Sequence, residues 1–122
     1  KVEDFGVGFY TKYGDGGVDL SPIADLMKSE VYNIGEYLKV PSSIMKAAPS
    51  DGLFGDARSD EDQIGASYPE LEWAMTMKDE GKTVDDFEGR QKEAFQIFMR
   101  YNRSNTHKMV PIPVCEIPKY LK

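Results

Sequence analysis

Apolar residues recur along this chain at two spacings that predict helices and at none that predicts a long strand. Ile23, Leu26, Met27, Val31, Ile34 and Leu38 recur at the three- and four-residue spacing of one helix face, so one amphipathic helix is expected over this stretch. Ser21 can cap it, Pro22 suits its first turn because its missing N–H would have no partner there, and Pro41 ends it. Ser42 to Ala47 has room for one further turn. A second helix starts at Ser67, which forms a capping-box pattern with Glu70; Leu71, Ala74, Met75 and Lys78 continue it and Gly81 stops it. A third is predicted from about Val84 to Tyr101, with Phe87, Gln91, Ala94, Phe95, Phe98 and Tyr101 on one mostly apolar face. Asp85, Asp86 and Glu88 would sit at its start and Arg100 and Arg103 near its end, an order that complements the helix dipole.

The intervening segments carry turn chemistry. Val2 to Tyr10 holds two glycines and reads as a short helix or turn. Tyr13 to Asp19 is glycine- and aspartate-rich and reads as a loop. Pro49 to Gly65 is irregular, and its part from Asp51 to Asp62 has five acids and one base, the composition of a mobile surface loop. Pro111, Pro113 and Pro118 make the tail extended. The sum is a mainly helical unit whose apolar faces need something to pack against.

Composition narrows the class. At 122 residues the chain fits one domain, and with 40% hydrophobic and 30% charged residues it is globular in character. A net charge of −6 argues against a nucleic-acid partner held by phosphate neutralisation, but not against a nucleotide bound by a few donors. The single cysteine, Cys115, permits no internal disulfide and suits a reducing cytoplasm. No apolar run approaches the ~20 residues of a membrane span, and no signal-peptide pattern opens the chain. The first residue is Lys1 rather than Met, as expected of a piece cut from something longer.

Several clusters could carry chemistry, each with a plainer alternative. Lys12 and Asp19 flank a glycine-rich loop that could bring backbone close to a ligand; from spacing alone a structural turn explains it better. The pattern G-x-x-x-x-G-K-[ST] of phosphate loops is absent. Asp60, Glu61 and Asp62 fail the calcium-loop template, because Ile64 and Leu71 fall where ligands are needed. Adjacent Glu3 and Asp4 could hold Mg²⁺ together with substrate phosphates, although such pairs are nearly always surface. Arg100, Arg103, His107 and Lys108 lie in a stretch without acids, an anion-attracting patch or simply the basic end of a helix and its tail. Cys115 has no supported base partner.

Taken together the blocks say more. Gly8 to Asp19, reading Gly-Phe-Tyr-Thr-Lys-Tyr-Gly-Asp-Gly-Gly-Val-Asp, is followed by Pro22-Ile23-Ala24-Asp25-Leu26-Met27-Lys28 and then by Lys46-Ala47-Ala48-Pro49-Ser50 with Leu53. Asp60-Glu61, Gly65, Tyr68 and His107-Lys108 come after them in order. This arrangement resembles the ammonia-dependent NAD synthetase family, a branch of the N-type ATP pyrophosphatases, over nearly the whole chain. The resemblance implies an α/β fold, a doubly wound parallel sheet of the adenine nucleotide alpha-hydrolase type, of which this chain would be the mostly helical C-terminal portion. It implies amidation of deamido-NAD with ATP and Mg²⁺ through an acyl-adenylate attacked by ammonia, in a cytoplasmic enzyme that is commonly a homodimer.

By position in that family, Lys12, Asp19, His107 and Lys108 are expected to contact deamido-NAD, the last two from a closing tail, and Lys28 and Ser50 to contact ATP. The metal carboxylate is expected at Glu3. Glu3 to Lys12 is one residue longer than the family's usual gap, however, and Asp4 would restore it, so the two stay alternatives. The Asp51–Asp62 stretch resembles the family's flexible active-site loop. The Ser-Gly-Gly-x-Asp-Ser pyrophosphate loop of the family's N-terminal part is not found in this sequence, so the chain is expected to be silent alone. Competing readings are a non-catalytic helical nucleotide-binding module and another ATP pyrophosphatase such as a GMP synthetase relative. The Lys12–Asp19 block and His107-Lys108 favour deamido-NAD over the latter. Whether nitrogen arrives as free ammonia or from a glutaminase domain is open.

Overall fold

A computed structural model of the protein describes residues 1–14, 16–50 and 59–121. The expected loop over 51–58 lies outside the described residues. Among the described residues five α-helices succeed one another: α1 (Lys28–Tyr37), α2 (Ser42–Met45), α3 (Asp60–Ile64), α4 (Tyr68–Asp79) and α5 (Gly89–Met109). A π-helical turn, Val2–Val7, precedes them, and 3₁₀ turns occupy Val84–Asp86 and Lys119–Leu121. Among the described residues there is no strand, in keeping with the mainly helical expectation.

α4 begins and ends as its sequence dictates. Glu70 accepts both the backbone N–H and the hydroxyl of Ser67, at 2.8 and 3.0 Å. At the other end Gly81 takes φ 79°. Its N–H then reaches the carbonyl of Lys78, while that of Lys82 reaches Met77. That pair of bonds is a Schellman stop, which a left-handed glycine permits without steric cost.

The other boundaries depart from expectation for identifiable reasons. α1 starts at Lys28 rather than Pro22, because Met27 is extended (φ −67°, ψ 159°) and donates its N–H to Glu30 at 2.7 Å. Ser21 and Pro22 open only short turns, with Ala24 bonding back to Ser21 and Leu26 to Ile23. α1 ends before Pro41, where Lys39 adopts φ 56°. α3 replaces part of the expected acidic loop: Ser59 caps it against Asp62, Gly65 closes it at φ 86°, and Ile64 is buried. α5 begins later than Val84, since Phe87 and Glu88 are extended. Asp85, Asp86 and Glu88 therefore precede the helix instead of occupying its first turn. α5 also runs eight residues past Tyr101 to Met109.

The core forms where α4, α5 and the opening turn meet. Val2 and Val7 from the turn, Ile64, Leu71 and Met75, and Phe95 and Phe98 from α5 are buried together. Trp73 packs edge-on to Phe87 at 4.9 Å, and Phe87 lies 5.1 Å from Phe95, so the residue that breaks the helix still serves the core. Gly6 lets the turn lie against α5: a Cβ there would stand 3.0 Å from Phe98 Cε2.

Arg90 fastens α5 to α4 through a forked pair, Nε to Glu70 Oε1 at 2.7 Å and Nη2 to Glu70 Oε2 at 2.9 Å. Those bonds hold the Glu70 carboxyl down to about 2 from an ordinary 4.5. A depressed acid contributes stability above its unfolded value, and the contribution is lost as pH falls. Both partners are partly exposed, so solvent screening keeps the contribution small, and it disappears as pH falls from 4.5 to about 2. Urea midpoints at pH 6 and pH 3 should accordingly differ less in Glu70→Gln than in the parent; equal differences would show that the pair contributes nothing.

Candidate functional site

The π-helical turn ends at Gly8, whose φ of 63° turns the chain and whose N–H bonds to the carbonyl of Glu3. The next residues lie along the C-terminal half of α5. A Cβ on Gly8 would stand 2.5 Å from Asn105 Cβ, so only glycine allows this approach. Phe9 meets Tyr101 edge-on at 6.4 Å. Beyond it, the Thr11 carbonyl accepts the N–H groups of Gly14 and Gly16 in tight turns.

A cleft of about 670 Å³ opens above this segment. Gly8 to Thr11 line one side, Ser50, Asp60 and Gln63 another, and Tyr101, Asn105 and Lys108 of α5 a third. Lys108 donates to the carbonyls of Gly8 and Tyr10 at 2.9 and 2.8 Å, and its neighbour His107 meets Lys12 Nζ through Nδ1 at 3.3 Å. Because an ammonium only donates, this bond needs Nδ1 as acceptor. His107 and Lys108 stand in the last turn of α5, not in the tail expected to carry them.

A second cluster adjoins the cleft through Asp60. Lys28 Nζ contacts Glu3 Oε1 at 2.8 Å, and the Tyr68 hydroxyl lies 2.7 Å from the same oxygen and 3.1 Å from Asp60 Oδ2. The phenol has one proton, so it serves one carboxylate at a time. Burial and the flanking Glu3 and Asp60 push its ionisation far up, which keeps it a donor. Burial alone would raise the Glu3 carboxyl, but bonds from Lys28 and Tyr68 outweigh it and the net direction is down. Asp4 is raised, by burial first and by the Glu3 charge. Among the described residues no hydrogen bond joins Asp4 to Lys28 or Tyr68, and Asp60 Oδ1 and Gln63 Nε2 are buried without a hydrogen-bond partner.

Glu3 lies in the π-helical turn, which holds one residue more than an α-turn, and it is Glu3, rather than Asp4, that bonds Lys28.

The model of the NAD synthase family matches residues 1–111 of this sequence. The chain belongs to the NAD synthase family. An NH(3)-dependent NAD(+) synthetase of Picrophilus torridus is 45% identical over 96 residues, covering 77% of this chain and 37% of that protein. One from Archaeoglobus fulgidus is 38% identical over 111 residues, covering 91% and 42%. Among solved structures, an NMN synthetase from Francisella tularensis superposes with a TM-score of 0.73 at 29% identity, covering 98% of this chain and 44% of that one. The chain thus spans about two fifths of the length of the curated relatives it matches.

Within this NAD synthase chain most expected site residues converge. Ser50 and Lys108 face one cleft, Lys12 joins at His107, and Lys28 and Glu3 meet through the Tyr68–Asp60 link. Asp19 does not join them; it is exposed in a bend, and among the described residues nothing ties it to the others. Tyr10, Gln63 and Asn105 also line the cleft, and Asn102 bonds to Gly6 beside it, none of which the sequence pattern singles out. The one available signal was two asparagines three apart in a segment after a helical pattern, residues that are poor helix formers without a tertiary role.

Proposed function

We propose that this chain is the C-terminal portion of a single NAD synthetase domain, and that the whole enzyme amidates deamido-NAD at the expense of ATP. The observation that carries the reading is the junction of the two clusters: Asp60 lines the cleft shared by Ser50 and Lys108 and also meets Tyr68, which holds Glu3 and Lys28. The doubly wound parallel sheet of the family fold would lie in the portion preceding this one. Its strands would cover apolar residues such as Ile34, Tyr37, Leu38 and Ile44, which are exposed on α1, its end and α2.

In the reaction the nicotinate carboxylate oxygen attacks the α-phosphorus of ATP and pyrophosphate leaves. Ammonia then attacks the acyl carbon, loses a proton, and AMP departs as the amide forms. Lys28 and Ser50 serve ATP, one as a point charge and the other as a hydroxyl. Lys12, His107 and Lys108 serve the dinucleotide, with Asp19 supplying an acceptor from the loop. Lys108 has three N–H donors, of which two are engaged by Gly8 and Tyr10, so one is left for a ligand.

The site residues fit Mg²⁺. Glu3 is ionised with one oxygen committed to Lys28 and Tyr68, and Asp60 offers a buried acceptor without a partner. Mg²⁺ takes only one or two carboxylates when phosphates supply the rest, so the absence of a cluster of three or more ligating side chains among the described residues does not conflict. Glu3, with Asp60 nearby, would hold it, and its chemistry would be to offset phosphate charge during transfer. Without nucleotide, Lys28 and Glu3 neutralise each other.

The remaining assignments complete the proposal: free ammonia as nitrogen donor, a cytoplasmic homodimer, and no nucleic-acid or membrane partner. Among the described residues no helix is long and apolar enough to cross a membrane. The test is amide formation with coupled pyrophosphate release by the full-length protein supplied with deamido-NAD, ATP, Mg²⁺ and ammonium, beside the 122-residue chain alone. The full-length protein should turn over and the chain should not. Turnover by the chain, or none by the full-length protein, overturns the reading. Because one solved relative is an NMN synthetase, the deamidated mononucleotide is the control substrate; a preference for it would reassign the substrate.

A further inference from the structure

Three side chains at three-residue intervals on the last turns of α5, two of them at the edge of the cleft, are engaged by backbone of the opening segment. Asn102 Nδ2 donates to the carbonyl of Gly6 at 2.7 Å and Asn105 Nδ2 to that of Val7 at 2.8 Å. Lys108 Nζ takes those of Gly8 and Tyr10, and the Tyr10 hydroxyl returns a bond to the Lys108 carbonyl at 2.5 Å. The partners lie 96 to 100 residues apart in sequence. The last carbonyls of any helical turn lack internal partners. Here the opening turn and the residues after it hand theirs to α5.

The placement matters because this stretch leads directly into a candidate ligand loop. Residues 6–10 are the stem of the loop that carries Lys12 and Asp19, and that loop contains Gly14, Gly16 and Gly17. A loop so rich in glycine costs much entropy to order when it binds. A stem pinned at four carbonyls lowers the part of that cost that falls on Lys12.

We infer that Asn102, Asn105 and Lys108 are positioning residues that hold the stem of the Lys12–Asp19 loop in its binding geometry. The ordering stands on the hydrogen bonds alone; that its beneficiary is deamido-NAD rests on the function proposed above. Asn105→Asp keeps the shape and turns the donor into an acceptor facing the Val7 carbonyl. Lys108→Met removes two bonds, and Lys108→Arg retains donors.

The experiment is amide hydrogen exchange on the full-length protein without ligand, then steady-state kinetics. Exchange over residues 8–19 should quicken about fivefold or more in Asn105→Asp and Lys108→Met, stay near the parental rate in Lys108→Arg, and remain unchanged over α4 in all three. Since no ligand is present, a lost ligand contact at Lys108 cannot produce this pattern. KM for deamido-NAD should rise about tenfold in the first two variants while KM for ATP moves less than about twofold. Unchanged exchange over 8–19 in both would overturn the inference. If Asn105→Asp loosens α4 as well, that variant has a general folding defect and Lys108→Met against Lys108→Arg decides. Faster exchange with no selective change in KM would uphold the ordering and sink the substrate assignment instead.

Discussion

Replacing Phe98 by alanine should destabilise the protein by about 3–5 kcal/mol, the range for emptying a fully buried aromatic site. Phe98 has no exposed surface and sits where α4, α5 and the opening turn meet. The site cannot easily collapse, because Gly6, its neighbour on the turn, has no side chain to move into the space. A domain of this size has about 5–15 kcal/mol in total, so much of the margin would go. The thermal unfolding midpoint of the full-length protein should be lowered by roughly 6–20 degrees, at about 2–4 degrees per kcal/mol for a larger single domain. Phe98→Leu, which refills most of the volume, should cost less than half as much. Equal melting of Phe98→Ala and the parent would place the stabilising contacts elsewhere.

The second large effect is expected at Glu3. Glu3→Gln preserves shape and removes the charge that Lys28 and Tyr68 support. In the full-length enzyme kcat/KM should fall about 100-fold or more, the scale of losing one preorganised electrostatic group. The Mg²⁺ concentration giving half-maximal rate should rise with it. Asp4→Asn should leave both near parental values. The reverse pattern would favour Asp4 over Glu3 as the proposed metal carboxylate. Calorimetry of Mg²⁺ binding in the presence of a non-hydrolysable ATP analogue gives a readout independent of turnover.

What could be read from the sequence was whatever depended on neighbours in the chain. The start of α4 follows from Ser67 and Glu70, three apart, and its stop from Gly81; both are local chemistry and both are found. α1 was drawn too long because Ile23 and Leu26 keep helical spacing although Met27 is extended; periodicity does not report one residue's ψ. The apolar pattern of α5 stops at Tyr101, and the Asn102, Ser104, Asn105 and Thr106 that follow are weak helix formers, yet the helix continues through them to Met109. Asn102 and Asn105 are compensated by bonds to the opening turn, which no local window contains. The acidic residues after Ser59 suggested a loop, yet they occupy the first turn of α3, where negative charge is favourable.

The candidate site divides the same way. Lys12, Lys28, Ser50, His107 and Lys108 are expected only from the family resemblance, and the fold brings them into two adjoining clusters. The link between the clusters, the Tyr68 hydroxyl between Glu3 and Asp60, has no signature because its members come from the opening turn, α4 and α3. Counting leaves Glu3 and Asp4 as alternatives; what it does not show is that the fold sets Glu3 against Lys28 and Tyr68.

α5 is about 31 Å of continuous helix at 1.5 Å per residue. Its first half is gripped by aromatic packing, and its second half carries the asparagines and the lysine. One stiff strut therefore joins what keeps the molecule folded to the edge of the proposed ligand cleft. A disturbance at the gripped end is transmitted along the axis like the tilt of a lever, so damage near Trp73 or Phe87 would be felt first as poor aim at the far tip.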